Sequence, residues 1–361
     1  MMDEMKTTLK TWAAIWIAVL LTTSLGFTQS ALNIVSPMER QVTQRSKQNQ
    51  ADVVISGTLQ APADVIEAKA DLAEGISRGK PVDWTVIAKG PAIAAGKFSG
   101  KLSLDAGGWY VVSVRALRDK AVIGTSKIMK VGVGEVFVTA GQSNSANYGK
   151  PRQAATDDRV VYLSADGRTF KPAADPIPGG SGGGGSPWPI LGDQIAKSQQ
   201  VPVCFRSATL TWTQVKNWMP ATKLYKNLVK CVGEFGSDGV RAVLWHQGES
   251  DSLAKTSADT YSDRLKTIIE SLNTDAGYDI PWFVAQASFH PGSKPPAEEQ
   301  VARGQQLLWE KGIAIKGPIT DDLLGPKYRS DKVHFNQLGL TTHAERWFTA
   351  LVAEYKWKVI D

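Results

Sequence analysis

The sequence predicts an α/β fold on a parallel sheet, preceded by a small all-β sandwich. Three observations carry this expectation. Residues 33 to 130 show short alternating apolar runs broken by Gly, Pro and Asp, with little helical periodicity. From Gly134 the pattern changes, and strand-like runs alternate with segments of helical spacing, which implies parallel pairing. At 361 residues, with 42% hydrophobic and 21% charged side chains, the chain is long enough for two domains and a large core. The expected divisions are residues 1–30, 31–132 and 133–361.

The first segment reads as a signal peptide. Lys6 and Lys10 precede an apolar stretch from Trp12 to Phe27, short for a membrane span and followed by small and polar residues. Cleavage is expected near Ser30, with an uncleaved anchor as the rival reading. No Cys follows the stretch to carry a lipid. The expected location is exported, periplasmic or extracellular, with no stable membrane association after signal removal.

The sandwich rests on residues 52–57, 108–114 and 121–124, where apolar and polar side chains alternate. Its expected role is packing or spacing, or else contact with a glycan. The net charge is +6, and residues 31–132 hold 14 Lys/Arg against 9 Asp/Glu. These charges are scattered without a basic run, which argues against a nucleic-acid partner.

In the α/β part, residues 135–140 are rich in β-branched and apolar side chains and read as a buried strand. Residues 159–163 form a short strand or edge. The Gly-rich run 179–189 lacks the Lys-Ser/Thr ending of a phosphate loop, so nucleotide binding is rejected. Propensity alone does not order such a run, so it is expected to be a mobile rim or a linker. Then follow a helix at 190–198, a strand at 201–206 and a helix carrying Leu224, Leu228, Cys231, Val232 and Phe235. A strand at 240–245 precedes a helix with Tyr261, Leu265, Ile268, Ile269 and Leu272. A strand at 280–285, a helix at 298–311 and a closing helix from Gln337 complete the series.

The chemistry concentrates where strands end. Gly141-Gln142-Ser143-Asn144 follows the first strand of the α/β part, and Gly141 permits a tight turn. Ser143 stands at the carboxyl edge of the sheet, where ligands bind in open α/β folds. It is either a helix N-cap or a nucleophile. A nucleophile needs a base, and Asp331-Lys332-Val333-His334 supplies one. An Asp three residues before a His can accept from the imidazole and fix its tautomer, leaving the other nitrogen for the Ser proton. Between them, Trp245-His246-Gln247-Gly248-Glu249-Ser250-Asp251 is another strand ending in a polar turn.

Together these blocks resemble the SGNH hydrolases, in the branch of the sialate O-acetylesterases and the acetylxylan esterases of carbohydrate esterase family 6. The resemblance covers roughly residues 133 to 357. It implies a flavodoxin-like three-layer sandwich and a serine esterase with Ser143, His334 and Asp331 in the catalytic roles. It also implies that Gln247 lies at the site as an oxyanion donor, beside the Ser143 N–H; the rival role for Gln247 is to cap its own turn. The sequence departs from the family at Thr211-Trp212, where the family usually carries Gly-Gly and one glycine gives an oxyanion N–H. Thr211 or Trp212 retains that N–H, and a bulky Trp212 is expected to narrow the pocket or to stack on a sugar.

Candidate substrate contacts are Asn144, Trp188, Trp218 and His290, the tryptophans because loop-like contexts free them to stack on sugar faces. His290 and His343 also have structural readings. Glu249 and Asp251 read as structural, pairing with Arg or Lys. No metal is expected, because His246 and Glu249 lack a third ligand at a recognisable spacing, and no cofactor is implied. Cys204 and Cys231 either pair or pack as small hydrophobes. The expectation is a secreted esterase removing O-acetyl groups from a sugar or polysaccharide. Its rivals are a lipid or aryl esterase with the same triad, for which no apolar entry helix is seen, and a glycan-binding protein with impaired catalysis.

Overall fold

A computed structural model describes residues 32–359 apart from Ser77 and Ala95. The expected signal peptide, residues 1–30, lies outside the described residues.

The amino-terminal part packs two sheets face to face. The first holds β1 (Leu32–Ser36), β3 (Gln50–Leu59), β7 (Lys97–Asp105) and β6 (Ile93–Ala94). The second holds β5 (Val82–Lys89), β4 (Val65–Leu72), β8 (Gly107–Arg118), β9 (Ala121–Gly141) and β2 (Gln41–Gln44). Alternate residues turn inward, as the two-residue period of a strand requires. Val53, Ile55, Leu102 and Leu104 of one sheet share a core with Ile66, Ala68, Val112 and Val114 of the other.

β9 runs for 21 residues and serves both parts of the molecule. Its first half pairs with β8 and β2 as far as Gly134. From Glu135 it pairs with β12 (Val203–Ser207), and from Phe137 with β13 (Ala242–His246) as well. Beyond these lie β14 (Trp282–Gln286) and β15 (Ile315–Ile319), and on the other side β10 (Val160–Leu163) and the antiparallel β11 (Phe170–Pro172). Leaving aside β10 and β11, the parallel strands stand in the flavodoxin-like order 2-1-3-4-5.

Helices cover both faces. Val136, Val138 and Ala140 face α2 (Lys223–Gly233), α4 (Ala258–Ala276) and α5 (Pro295–Glu310) through a core that includes Leu228, Leu265 and Val301. Phe137 points the other way, toward α1 (Trp188–Gln199) and α7 (Gln337–Tyr355), in a core with Leu191, Phe205 and Trp347. Two short helices, α3 (Glu249–Leu253) and α6 (Gly325–Tyr328), complete the set.

At the junction of the two parts, Glu135 is fully buried and accepts from Arg45 Nε at 2.7 Å and Arg241 Nε at 2.6 Å. One carboxylate thus ties together the segment after β2, the middle of β9 and the residue before β13.

The Gly-rich run is a correction. It is not a loose rim but is held by isolated β-bridges to residues 147 and 149: Gly184 N donates to Asn147 O at 2.7 Å, and Gly149 N to Gly185 O at 2.9 Å. A Cβ on Gly184 would lie 2.4 Å from Gly149 O, and one on Gly185 2.1 Å from Pro151 O, so this close backbone approach needs glycine. Cys204 and Cys231 are both free and buried, and Cys231 Sγ donates to Ser207 O at 3.7 Å. Burial pushes the Cys231 thiol up to about 11 and the Cys204 thiol higher still.

Candidate active site

The site forms where β9 and β13 end. Gly141 has φ +123, and a Cβ there would lie 2.0 Å from His246 O, so neither the turn nor the packing admits a side chain. Gln142 N donates to His246 O at 3.0 Å, and Leu210 N to Gly141 O at 3.0 Å, which lays the loop after β12 beside the turn. Ser143 opens a 3₁₀ turn spanning Ser143–Ser145. It is 4% exposed, and among the described residues neither its hydroxyl nor its backbone N–H has a hydrogen-bond partner. The N-cap reading of Ser143 therefore fails, since a cap would spend its hydroxyl on the turn.

Across from this turn, His334 Nδ1 lies 2.7 Å from Asp331 Oδ2, while Asp331 Oδ1 accepts from His334 N at 2.7 Å and Val333 N at 3.0 Å. Burial alone would raise the Asp331 carboxyl, but these bonds outweigh it and hold the group below its usual range. An ionised carboxylate only accepts, so Nδ1 carries the proton and Nε2 is left as the basic nitrogen. The His334 ring stacks on Tyr148, with centroids 5.1 Å apart.

Asn144 brackets the two halves. Its Nδ2 donates to Glu249 Oε1 at 3.0 Å and to Val333 O at 3.3 Å, joining the Ser143 turn to the residue before His334. Arg329 holds the same loop from behind, donating to Val333 O and, at 2.7 Å, to Leu323 O. Glu249 is 3% exposed and lies 3.4 Å from His246 Nε2. Burial would raise this carboxyl, but the His246 and Asn144 contacts prevail and lower it. His246 Nδ1 in turn lies 3.1 Å from His343 Nε2, deep in the core, where burial drives His343 well down.

The structure corrects five of the expected roles. Trp188 and Trp218 are both fully buried and cannot stack on a sugar. Trp188 Nε1 donates to Ser145 O at 2.8 Å, and Trp218 packs edge-on against Trp245. Both indoles are core, in segments whose polar neighbours make them look like loops. Asn144 is no substrate donor, because both amide hydrogens are spent on protein. Gln247 is no oxyanion donor in this arrangement: it is fully buried, and its Nε2 faces Thr213 O at 2.8 Å, Asp251 Oδ2 at 2.7 Å and Gln142 Oε1 at 3.2 Å. Thr211 N is likewise taken, by Ser181 Oγ at 2.8 Å. The Trp212 N–H has no acceptor among the described residues.

Glu249 and Asp251 are structural as expected, but their partners are not Arg or Lys. Glu249 meets His246 and Asn144, and Asp251 accepts from Val215 N, Gln247 Nε2 and Thr256 Oγ1. His290 is half-buried, with its ring 6.0 Å from that of Trp212.

The sequence by itself marks no role for Gln142, Tyr148 or Arg329. Gln142 Oε1 accepts from Ser250 N and from Gln247 Nε2, each at 3.2 Å, which fixes the orientation of the amide and leaves Nε2 with no hydrogen bond among the described residues, one residue from Ser143. Its place in the Gly-Gln-Ser-Asn turn was the available signal. Arg329 stands two residues before Asp331, and nothing in that spacing marks it.

Among the described residues no group of three or more His, Cys, Asp or Glu could hold a metal ion. A groove of about 1120 Å³ lies elsewhere, between α4, α5, α7 and the edge strand β15, and contains none of the residues named above for chemistry.

A family model described as carbohydrate esterase, sialic acid-specific acetylesterase, matches residues 133–353. A probable carbohydrate esterase of Arabidopsis thaliana is 25% identical over 240 residues, which cover 58% of this chain and 85% of that protein. Among solved structures, a carbohydrate acetylesterase from Xanthomonas citri is similar with a TM-score of 0.59 at 19% identity, covering 90% of this chain and 74% of that one. An Arabidopsis thaliana protein has a TM-score of 0.51 at 21% identity, covering 61% and 98%. At these identities the structural likeness is one of fold. The family match spans more than half of the chain, so the chain belongs to the carbohydrate esterase family of sialic acid-specific acetylesterases and is a carboxylic ester hydrolase.

Proposed function

We propose that this esterase removes O-acetyl groups from a carbohydrate by a serine mechanism and that it acts outside the cytoplasm. The observation that carries the mechanism is the 2.7 Å contact of His334 Nδ1 with an ionised Asp331, on a loop that Asn144 ties to the Ser143 turn. Ser143 Oγ attacks the acetyl carbonyl carbon while His334 Nε2 takes the hydroxyl proton. The tetrahedral intermediate collapses, the bond to the sugar oxygen breaks, and His334 returns the proton to that oxygen. Water then attacks the acetyl-serine by the same route, releasing acetate. Free N–H groups of Ser143 and Trp212, with the spare Gln142 Nε2, are the donors for the oxyanion. Export rests on Lys6 and Lys10 before the apolar stretch at residues 12–27.

The test is acetate release from a panel of acetylated sugars and polysaccharides by the wild type and Ser143→Ala. Loss of a nucleophile costs on the order of 10⁴-fold or more in kcat. Activity of Ser143→Ala within tenfold of wild type would overturn the mechanism.

A further inference from the structure

Trp212 is an anomaly that neither backbone preference nor burial explains. Its φ is +57, in the left-handed region where an L side chain is strained. It is also 69% exposed, the highest value among the exposed large hydrophobic side chains of the described residues. A tryptophan gains stability by leaving water, and this one does not. The backbone beneath it is held from several sides. Leu210 N is bonded to Gly141 O, Thr211 N to Ser181 Oγ, and Thr213 Oγ1 to Leu210 O at 2.9 Å. Thr213 O meanwhile accepts from Gln247. The loop is over-determined, so the strain persists and the indole projects from a fixed base. Strain of this kind gathers where a ligand is held.

The neighbour of the indole is His290, with ring centroids 6.0 Å apart and planes at 58°. The two rings are tilted against each other rather than stacked. Gly292 N donates to His290 Nδ1 at 3.0 Å, so the neutral ring carries its proton on Nε2, as a donor. Burial lowers the basicity of His290 below its ordinary value of 6.5, outweighing the opposite effect of the Glu249 carboxylate, so the ring is neutral at pH 7. A broad apolar face beside one hydrogen-bond donor suits a pyranose, which presents a face of C–H bonds ringed by hydroxyls.

We propose that Trp212 and His290 form a subsite for a pyranose ring of the acetylated carbohydrate, with the indole as the specificity-determining surface. This rests on the carbohydrate-esterase reading above and adds that substrate choice extends beyond the acetyl group to a sugar ring stacked on Trp212. The glycine usual at this position in the family would fit the same backbone without strain and would leave the platform bare.

The experiment compares wild type, Trp212→Gly and Trp212→Phe on 4-nitrophenyl acetate and on the panel glycan that the wild type deacetylates fastest. The readout is the ratio of kcat/KM for the glycan to that for the sugar-free ester. Trp212→Gly should lower this ratio about tenfold, chiefly through the glycan KM, and Trp212→Phe should recover most of it. The Tm of Trp212→Gly should equal or exceed that of the wild type, because glycine relieves the left-handed backbone. A parallel calorimetric titration places Ser143→Ala and Ser143→Ala/Trp212→Gly against an acetylated xylo-oligosaccharide and the panel glycan. It reads sugar binding without turnover and so separates failure of the subsite from failure of the serine mechanism. An unchanged ratio with unchanged sugar affinity would overturn the subsite. An equal loss on both esters would overturn it too, since Trp212 would then serve the reacting centre alone.

Discussion

Glu249→Gln removes the charge from a carboxylate that is 3% exposed while keeping the side-chain shape. In the wild type, Oε1 receives the Asn144 amide at 3.0 Å and faces His246 Nε2 at 3.4 Å, whereas Oε2 is buried without a partner. The amide variant can keep one oxygen on Asn144, but its NH2 must then occupy the place of Oε2, where no acceptor waits. A hydrogen bond to a charged group contributes about 1.5–3 kcal/mol, and an orphaned buried donor costs about 1–3 kcal/mol. A net loss near 3 kcal/mol follows, within the lower range for breaking a buried charge pair. At roughly 1.5 °C per kcal/mol for a chain of 361 residues, the Tm should fall by about 4–5 °C at pH 7. The sign of the pH dependence is fixed by the direction of the shift. The folded carboxyl titrates below its ordinary value of 4.5, so its contribution is complete above 4.5 and is lost as pH falls through the lower folded value. Denaturant unfolding of both proteins from pH 7 downward should therefore show a constant gap to pH 5 that narrows only below 4.5. A gap under about 1 kcal/mol at pH 7 would refute the reasoning. So would a gap that closes between pH 7 and 6, for burial would then have raised the carboxyl rather than His246 and Asn144 lowering it.

The two neighbouring glutamines should separate in their effects. Gln142→Met removes the spare amide next to Ser143 and should cut kcat about 10²–10³-fold, as loss of one oxyanion donor does. Gln247→Met should act mainly on stability, at about 1–3 kcal/mol, because it strips Asp251 and Thr213 of a buried donor; paired kcat and unfolding measurements read the split. The thiols of Cys204 and Cys231 should stay silent to a thiol-specific reagent in the native protein and react together on unfolding, since both are fully buried and held in the neutral form. A native reaction of either would refute their burial.

The parts of the fold that read well from sequence are those where apolar period decides the structure. The alternation of Val136 and Val138 against Phe137 marks a strand buried on both faces, and the helix carrying Tyr261, Leu265, Ile268 and Leu272 repeats at helical spacing. β15 escapes this logic, because Lys316, Gly317 and Pro318 interrupt any pattern and the strand is read only by its partner β14. β9 is obscured by Gly132 and Gly134, which look like breaks but admit Pro202 at close range. In the site, the Asp331–His334 contact follows from a spacing of three along the chain. The fate of Gln247 does not, because its acceptors come from residues 34 positions before it, 105 before it and four after it. The tryptophans fail for a related reason: whether an indole is wet depends on what folds over it, and Trp188 is covered by Trp347 and Phe205.

β9 has a consequence for how the molecule can be cut or moved. A reader of domain diagrams would place a boundary near residue 133 and look there for a linker, but the backbone at that point is a strand hydrogen-bonded on both sides. Between the two parts a protease would meet a paired strand rather than a loose peptide, so the junction should resist cleavage and should not act as a hinge. A clone beginning at residue 133 would leave Glu135 without Arg45 and present β9 with a raw end. The sandwich is better regarded as the root of the ribbon that carries Ser143 at its tip, so twisting the one should turn the other.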